Sequence, residues 1–190
     1  MIGNDVVDLA DPETREAALH PRFDARVFAP GERALLRRAA ERPRLRWALW
    51  AAKEAAYKCA RQLDPGARFH PRELVVEGNV VRHGARSFLV RVREADGALH
   101  AVAVPAPGAA RGVCSGVALC EGEPGSAARR LALAAAARRL GASAEELEIV
   151  REGRRPLLLR RGRRAGLALS LSHHGRFAAF ALAPAAGGCA

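Results

Sequence analysis

The segment WAAKEAAYK, residues 50–58, contains the only two lysines of the chain, Lys53 and Lys58, on either side of Glu54. Every other Lys or Arg position is an arginine. An ammonium can give up a proton when its surroundings lower its pKa, whereas a guanidinium keeps its charge. Because both lysines lie in this one short segment, we predict a site there. In it, a lysine ammonium either stays paired with a phosphate group as that group moves, or donates a proton.

The same segment predicts a long helix that is covered on two faces. At 100° per residue its small and aliphatic side chains form one stripe, and Glu54 and Lys58 lie one turn apart on the opposite face. An exposed pair at this spacing would contribute only ~0.3–0.5 kcal/mol. However, Trp47, Trp50 and Tyr57 point to the side of this pair, and tryptophans favour a covered face. A covered carboxylate needs a cation or a metal ion to stay charged.

Three further segments carry side chains suited to binding a divalent cation or a phosphate. GNDVVDL, residues 3–9, places Asp5 and Asp8 on a predicted strand. Residues three apart on a strand face opposite sides, so only one of them is expected to bind an ion such as Mg²⁺. LSLSHHG, residues 169–175, ends a strand with hydroxyl and imidazole groups, and EGRRPLLLRRGRR, residues 152–164, gathers six arginines. Taken alone, each segment also fits a loop cap, an ordinary strand end or a solvated basic hairpin.

The elements that would position these segments form two similar halves. The first is predicted to contain a strand at 1–9, short helical turns, helices at 30–42 and 44–63, and an antiparallel meander up to residue 105. The second is predicted to contain a strand at 112–122, a helix at 125–143 that starts near Ser126 and ends at Gly141, and four strands between 145 and 183. We therefore predict an α+β fold with two pseudo-symmetric halves, each a long helix packed on a small antiparallel sheet. The halves are residues 1–107 and 108–190, with 105–112 as a linker.

Composition bounds the class of protein. The chain has 190 residues and a formal net charge of +11. It has neither the run of ~18 apolar residues that spans a membrane nor a signal-peptide pattern. The four cysteines form no CxxC pair, which favours free, reduced thiols and a cytoplasmic location; they are Cys59, Cys114, Cys120 and Cys189. The positive charge favours a polyanionic partner, and we expect neither a membrane nor a nucleic acid in that role.

Taken together, these segments resemble the 4'-phosphopantetheinyl transferases. WAAKEAAYK matches the [W/F]xxKEAxxK helix of that family, GND at residues 3–5 matches its GxD strand, and SLSHHGRFAAFAL matches its SxSH strand. GRRP is similar to the family's GKP-like turn, with Arg155 in place of lysine. The order of the segments resembles a two-half enzyme whose halves are reversed, so we expect a monomer with its site between the halves. Val7 stands where many two-half members carry a second acid, which leaves water or Asp8 as a third metal ligand.

The resemblance implies a reaction and a role for each site residue. 4'-Phosphopantetheine would pass from coenzyme A, the co-substrate, to a serine of an acidic acyl or peptidyl carrier protein, with Mg²⁺ as cofactor and release of 3',5'-ADP. Asp5 and Glu54 would hold the ion. Glu54 would also act as the base for the serine, directly or through a metal-bound water, and Lys58 would stabilise or protonate the leaving group. Ser172 and His173 would bind coenzyme A at its 3'-phosphate. Arg155, with Arg129 or Arg130, would add further phosphate contacts. Lys53 would contact the pyrophosphate or, alternatively, have a structural role.

Two alternatives from other classes stay open. One is a non-catalytic protein that binds coenzyme A or a carrier protein, which the valine at position 7 would permit. The other is a basic nucleic-acid-binding module, although aromatic residues interleaved with basic ones on a sheet are missing from the sequence. A metal-dependent transfer assay separates all three.

Overall fold

In the first part of the chain, one long helix packs on one face of a five-stranded antiparallel sheet. The computed structural model describes residues 1–107, 112–120 and 122–185. The strands of this sheet follow the order β1-β5-β4-β3-β2; they are β1 (Gly3–Asp8), β2 (Leu74–Glu77), β3 (Val80–His83), β4 (Arg86–Ala95) and β5 (Ala98–Pro105). The helices are α1 (Phe23–Val27), α2 (Pro30–Arg38) and α3 (Arg42–Leu63). Helix α2 ends earlier than predicted because Arg42 already belongs to α3, whose first turn accommodates Pro43.

The second part of the chain repeats the arrangement of a long helix on a small sheet. Strands β6 (Cys114–Leu119), β10 (Leu167–His174) and β11 (Phe177–Pro184) form a sheet in the order β10-β11-β6. A separate small sheet contains β7 (Leu147–Glu152), β8 (Arg155–Arg160) and β9 (Arg163–Arg164). Helix α4 (Pro124–Leu140) packs on β10 and β11. The predicted α+β class is confirmed.

Local signals set the ends of α4. Its N-cap is Glu123, whose carboxylate accepts a hydrogen bond from the backbone N–H of Gly125 at 2.9 Å, so the helix begins two residues before Ser126. It ends, as predicted, at Gly141, which adopts the left-handed conformation with φ 55°. Half of the predicted linker, residues 108–111, and Cys189 lie outside the described residues, and the boundary between the halves stays a prediction.

Helix α3 lies directly against β1 because the strand has no side chain at the point of contact. A Cβ atom added at Gly3 would lie 1.9 Å from the carbonyl oxygen of Ala55 and 2.6 Å from the backbone nitrogen of Cys59. Only glycine allows backbone to approach backbone this closely. The contact face of α3 is accordingly built from small buried residues, which include Ala52 and Ala56. Gly3 thus sets the distance between the strand and the helix.

The two parts of the chain are joined along β1 by a ladder of side chains from β10. Alternate side chains of β10 accept hydrogen bonds from alternate backbone N–H groups of β1. The pairs are Asn4 with Ser170 Oγ at 3.0 Å, Val6 with Ser172 Oγ at 3.2 Å, and Asp8 with His174 Nδ1 at 3.1 Å. Both strands have a period of two, so one row of side chains meets one row of donors. The SLSHH segment therefore replaces a neighbouring strand at this edge of the five-stranded sheet.

The segment that precedes α3 covers its second face. The indole nitrogen of Trp47 donates to the carbonyl of Thr14 at 2.9 Å, and Trp47 packs against Phe23 and Trp50. The prediction that both faces of this helix are covered is confirmed. Among the described residues, no helix is both long and apolar enough to cross a membrane.

Candidate functional site

Asp5 lies on the face of β1 that is turned toward α3. Its Oδ1 atom accepts a hydrogen bond from Lys58 Nζ at 2.8 Å and another from Ser172 Oγ at 2.9 Å. Asp5 is only 8% exposed, so the ion pair with Lys58 is largely shielded from water and its attraction is stronger than that of a surface pair. One carboxylate oxygen is thereby fixed between α3 and β10.

Glu54 lies one helical turn before Lys58 and shares its surroundings. No described residue forms a hydrogen bond or ion pair with its carboxylate. The pKa of Glu54 is raised to about 7, chiefly by burial and in addition by the negative charge of Asp5, while Lys58 opposes both effects. Two carboxylates thus share a partly buried space with a single ammonium, and the site can take up either a proton or a second cation.

The donor set of this space suits a hard divalent cation. Carboxylate oxygens are the protein ligands that Mg²⁺ prefers, with water completing its octahedron. The oxygens of Asp5 are already oriented, and the charge on Glu54 is not compensated by any hydrogen bond from a described residue. A divalent cation would supply the positive charge that Lys58 alone does not.

Asp8 belongs to a different environment, as its spacing from Asp5 predicted. Its carboxylate is 1% exposed and accepts hydrogen bonds from Arg176 Nε and Nη2, each at 2.8 Å. These side-chain bonds hold the pKa of Asp8 well below its usual range, against the effect of burial. Asp8 is therefore not the third ligand of an ion at Asp5 and Glu54.

A set of metal-type donors near Asp8 is not a metal site. Asp11, Glu13 and His174 lie close together, but His174 Nδ1 already accepts the backbone N–H of Asp8. In the neutral imidazole the proton then sits on Nε2, so that atom is a hydrogen-bond donor and has no lone pair free for a metal ion.

A small basic cleft adjoins Lys58 at the seam between α3, β8 and β10. Its volume is about 120 Å³, and it is lined by Lys58, Arg61, Gln62, Arg154, Arg155, Pro156, Ser170 and Leu171. The guanidinium of Arg155 donates to the carbonyl of Gln62 at 3.3 Å and also pairs with Glu152. The structure thus places Lys58 and Arg155 at one cleft, and the phosphate contact of Arg155 stays a prediction. Sequence reasoning missed Arg61, although its position three residues after Lys58 places it on the same side of the helix.

The structure corrects the prediction that Lys53 binds the pyrophosphate. Its ammonium is completely buried and donates to Glu32 Oε2 at 2.7 Å. Three backbone carbonyls, those of Val27, Pro71 and Leu74, accept from it as well. The structural alternative is the right one, because Lys53 ties α3 to α2 and to the start of β2. Burial lowers the pKa of Lys53, and Glu32 opposes this effect.

The predicted role of Ser172 is also corrected. Its hydroxyl donates to Asp5 and accepts from Val6 N and from Lys58 Nζ, the last at 3.3 Å. A hydroxyl has one hydrogen and two lone pairs, so none is left for a phosphate. Ser172 instead holds Asp5 in place, a role that its position in the SLSHH strand did not reveal.

The three other predicted coenzyme A contacts stay predictions. His173 is exposed at the end of β10. Arg129 donates to the carbonyl of Ile149 at 3.0 Å, which ties α4 to β7, and Arg130 is exposed on α4. None of the three lines the cleft beside Lys58.

Fold and site together define an α+β protein with a carboxylate pair and a basic cleft at one seam, suited to a divalent cation and a phosphate. A model of the ACPS family, described as the 4'-phosphopantetheinyl transferase superfamily, matches residues 1–104, and the chain belongs to this superfamily. Membership supports a transferase that moves phosphopantetheine. The family resemblance drawn from the sequence is confirmed, whereas the reversed order of the halves stays a prediction.

Comparison with solved structures and curated proteins adds two findings. The chain is similar to the crystal structure of Thermotoga maritima holo-[acyl-carrier-protein] synthase (AcpS), with 14% identity and a TM-score of 0.38 over 84% of this chain and 81% of that chain. Among curated proteins no significant match is found.

Proposed function

We propose that the protein transfers 4'-phosphopantetheine from coenzyme A to a serine of an acyl or peptidyl carrier protein, with Mg²⁺ as cofactor and 3',5'-ADP as the second product. The observation that carries the proposal is the meeting of Asp5, Glu54 and Lys58 at one seam of a chain that belongs to the superfamily. In this reaction the serine oxygen forms a bond to the phosphorus next to pantetheine as the anhydride bond to 3',5'-ADP breaks.

Asp5 and Glu54 are the proposed ligands of Mg²⁺. The ion, when bound, neutralises charge that develops on the phosphates as the anhydride breaks. Ser172 supports this role by fixing one oxygen of Asp5, and Gly3 supports it by allowing β1 to approach α3. The ligands are thus held by the strand, the helix and β10 together.

Glu54 is also the proposed general base for the carrier serine. Burial together with Asp5 raises the pKa of Glu54 to about 7 when no ion is bound, and a divalent cation would lower it. The support for the role of base is therefore the place of Glu54 in the partly buried space that it shares with Asp5 and Lys58. Lys58 is the proposed partner of the leaving 3',5'-ADP, to which it offers a charge or a proton. Arg155, with Arg61 beside it in the cleft, offers the planar guanidinium donors that suit phosphate oxygens.

The elements of the site all belong to one chain. Helix α3 and β1 come from the first part and β10 from the second, so the proposed site needs no second subunit. This supports the predicted monomer. The net charge of +11 supports an acidic carrier protein as partner, because opposite charges accelerate encounter.

The test is a transfer assay with a panel of apo carrier proteins, coenzyme A and Mg²⁺, followed by intact-protein mass spectrometry. We expect a mass gain equal to one phosphopantetheine group, no transfer in EDTA, and recovery when Mg²⁺ is restored. Glu54→Gln should lower kcat/KM by at least ~10²-fold, the range typical for loss of a general base. The matched control is Glu148→Gln, which changes an exposed glutamate on β7 and should leave the rate unchanged.

A second variant separates the two roles of Lys58. Lys58→Arg keeps the positive charge beside Asp5 but cannot readily release a proton, so a large loss of kcat supports proton donation, and a small loss supports charge alone. Full activity of Glu54→Gln would refute the role of Glu54. Binding of coenzyme A without transfer to any carrier would favour the non-catalytic alternative.

A further inference from the structure

The five-stranded sheet meets the sheet formed by β6, β10 and β11. The strand order β1-β5-β4 in one sheet corresponds to the order β6-β11-β10 in the other. The seam between β1 and β10 therefore has a counterpart between β6 and β4. The seam between β1 and β10 is closed by the ladder of hydrogen bonds described above. The corresponding seam between β4 and β6 instead contains a cleft of about 470 Å³.

This second cleft has one apolar end. Leu89, Val102, Val104 and Val113 form its wall and belong to a packed cluster with Ile2 and two alanines of β11. Side chains of this kind bind aliphatic groups and exclude water. A volume of 470 Å³ lies within the range of small-molecule sites, roughly 300–1,000 Å³.

The other end of the cleft is polar and basic. Arg91 and Arg93 lie two apart on β4 and therefore on one face, and the register places Arg91 beside Val102 and Arg93 beside His100. Both arginines are exposed, and neither forms an ion pair with any residue in the described parts of the chain. Ser115 of β6 completes this end, and none of the described residues that line the cleft is a carboxylate. The composition therefore favours an anion and argues against a metal ion.

His100 is held at the base of this polar end by a buried amide. Its Nε2 lies 3.2 Å from Nδ2 of Asn4, a residue with no exposed surface. Burial lowers the pKa of His100 to about 4, so the imidazole is neutral near pH 7. A neutral ring that accepts at Nε2 carries its proton on Nδ1, so His100 adds an N–H donor to the residues that line the cleft. The amide oxygen of Asn4 has no partner among the described residues.

We propose that this cleft is a second ligand site, which binds an anionic amphiphile through a carboxylate or phosphate head group and an aliphatic chain. The head group is bound by Arg91, Arg93 and the N–H of His100, and the chain lies on the wall formed by Leu89 and its three valine neighbours. The cleft shares no lining residue with the one beside Lys58. The two sites can therefore be tested with separate variants.

The experiment is isothermal titration calorimetry of the full chain with four probes: octanoate, octyl phosphate, octanol and inorganic phosphate. We expect the two anionic amphiphiles to bind and octanol and inorganic phosphate to bind at least tenfold more weakly. The tighter of the two amphiphiles identifies the head group. Arg91→Gln/Arg93→Gln should weaken binding of that probe at least tenfold, since each guanidinium lost removes a charge-assisted hydrogen bond.

The control is Arg163→Gln, which removes an exposed positive charge on β9, outside the cleft. It should leave the affinity unchanged, and none of these variants should alter phosphopantetheine transfer. The proposal is overturned if neither anionic amphiphile binds, if octanol binds as tightly as they do, or if Arg163→Gln weakens binding as much as the double variant. Binding of the amphiphile to the double variant as tightly as to the parent would place it outside this cleft and would also overturn the proposal.

Discussion

Replacing Glu54 by glutamine should stabilise the metal-free protein at high pH and have no effect at low pH. The pKa of Glu54 is 4.5 in the unfolded chain and about 7 in the folded protein, because burial and Asp5 disfavour its charge. Between these pH values the folded protein retains a proton that the unfolded chain releases. The folded state therefore loses stability as the pH rises from 4.5 through 7.

The magnitude follows from the two pKa values. One pKa unit corresponds to 1.36 kcal/mol, so the ionised carboxylate costs the folded protein at most about 3 kcal/mol above pH 7. Glutamine keeps the size and the hydrogen-bonding groups of the protonated side chain but cannot ionise. In EDTA, Glu54→Gln should thus exceed the parent in free energy of unfolding by about 2–3 kcal/mol at pH 8 and match it at pH 4.5.

The measurement is urea unfolding followed by tryptophan fluorescence, with Trp47 and Trp50 as reporters on α3. Glu148→Gln, on the surface of β7, should show no such dependence on pH. Addition of Mg²⁺ at pH 8 should raise the stability of the parent and leave Glu54→Gln nearly unchanged. A variant no more stable than the parent at pH 8, or a difference of equal size at both pH values, would refute the reasoning about the buried carboxylate.

Three further outcomes are expected in the same unfolding assay. Gly3→Ala should destabilise the protein by about 3 kcal/mol, because its Cβ would overlap α3. The control is Gly31→Ala, which has no atom within 4 Å of the new Cβ and should be neutral or slightly stabilising. Equal effects of the two substitutions would contradict the close approach of β1 to α3. Lys53→Met should cost about 3–5 kcal/mol by leaving Glu32 buried and unpaired. Glu32→Gln in the Lys53→Met background should restore part of the loss, because glutamine carries no charge and its oxygen can still accept from one of the backbone N–H groups that Glu32 binds; no recovery would contradict the pairing. Ser172→Ala should cost about 1–3 kcal/mol through three lost hydrogen bonds, and it should also lower transfer activity, which a purely structural serine would not do.

Local periodicity was sufficient to predict much of the site. A helix repeats every 3.6 residues and a strand every two, so the sequence placed Glu54 and Lys58 on one side of α3 and separated Asp5 from Asp8. Both arrangements depend on neighbouring residues along the chain, and both are present in the structure. The sequence showed Gly3 as part of a motif. It did not show why a glycine is needed there, which is that the backbone of α3 packs directly against the backbone of β1.

What covers each face of an element was decided by the tertiary structure alone. Lys53 and Lys58 belong to one short segment, yet Lys53 is enclosed by Glu32 and three carbonyls, whereas Lys58 meets Asp5. The partners are distant in sequence: Ser172 and Asp5 are 167 positions apart. The sequence by itself determined which residue types could do the chemistry and on which face of each element they lie. Only the folded chain decided which of them are accessible, since burial and long-range hydrogen bonds depend on elements that no local pattern brings together.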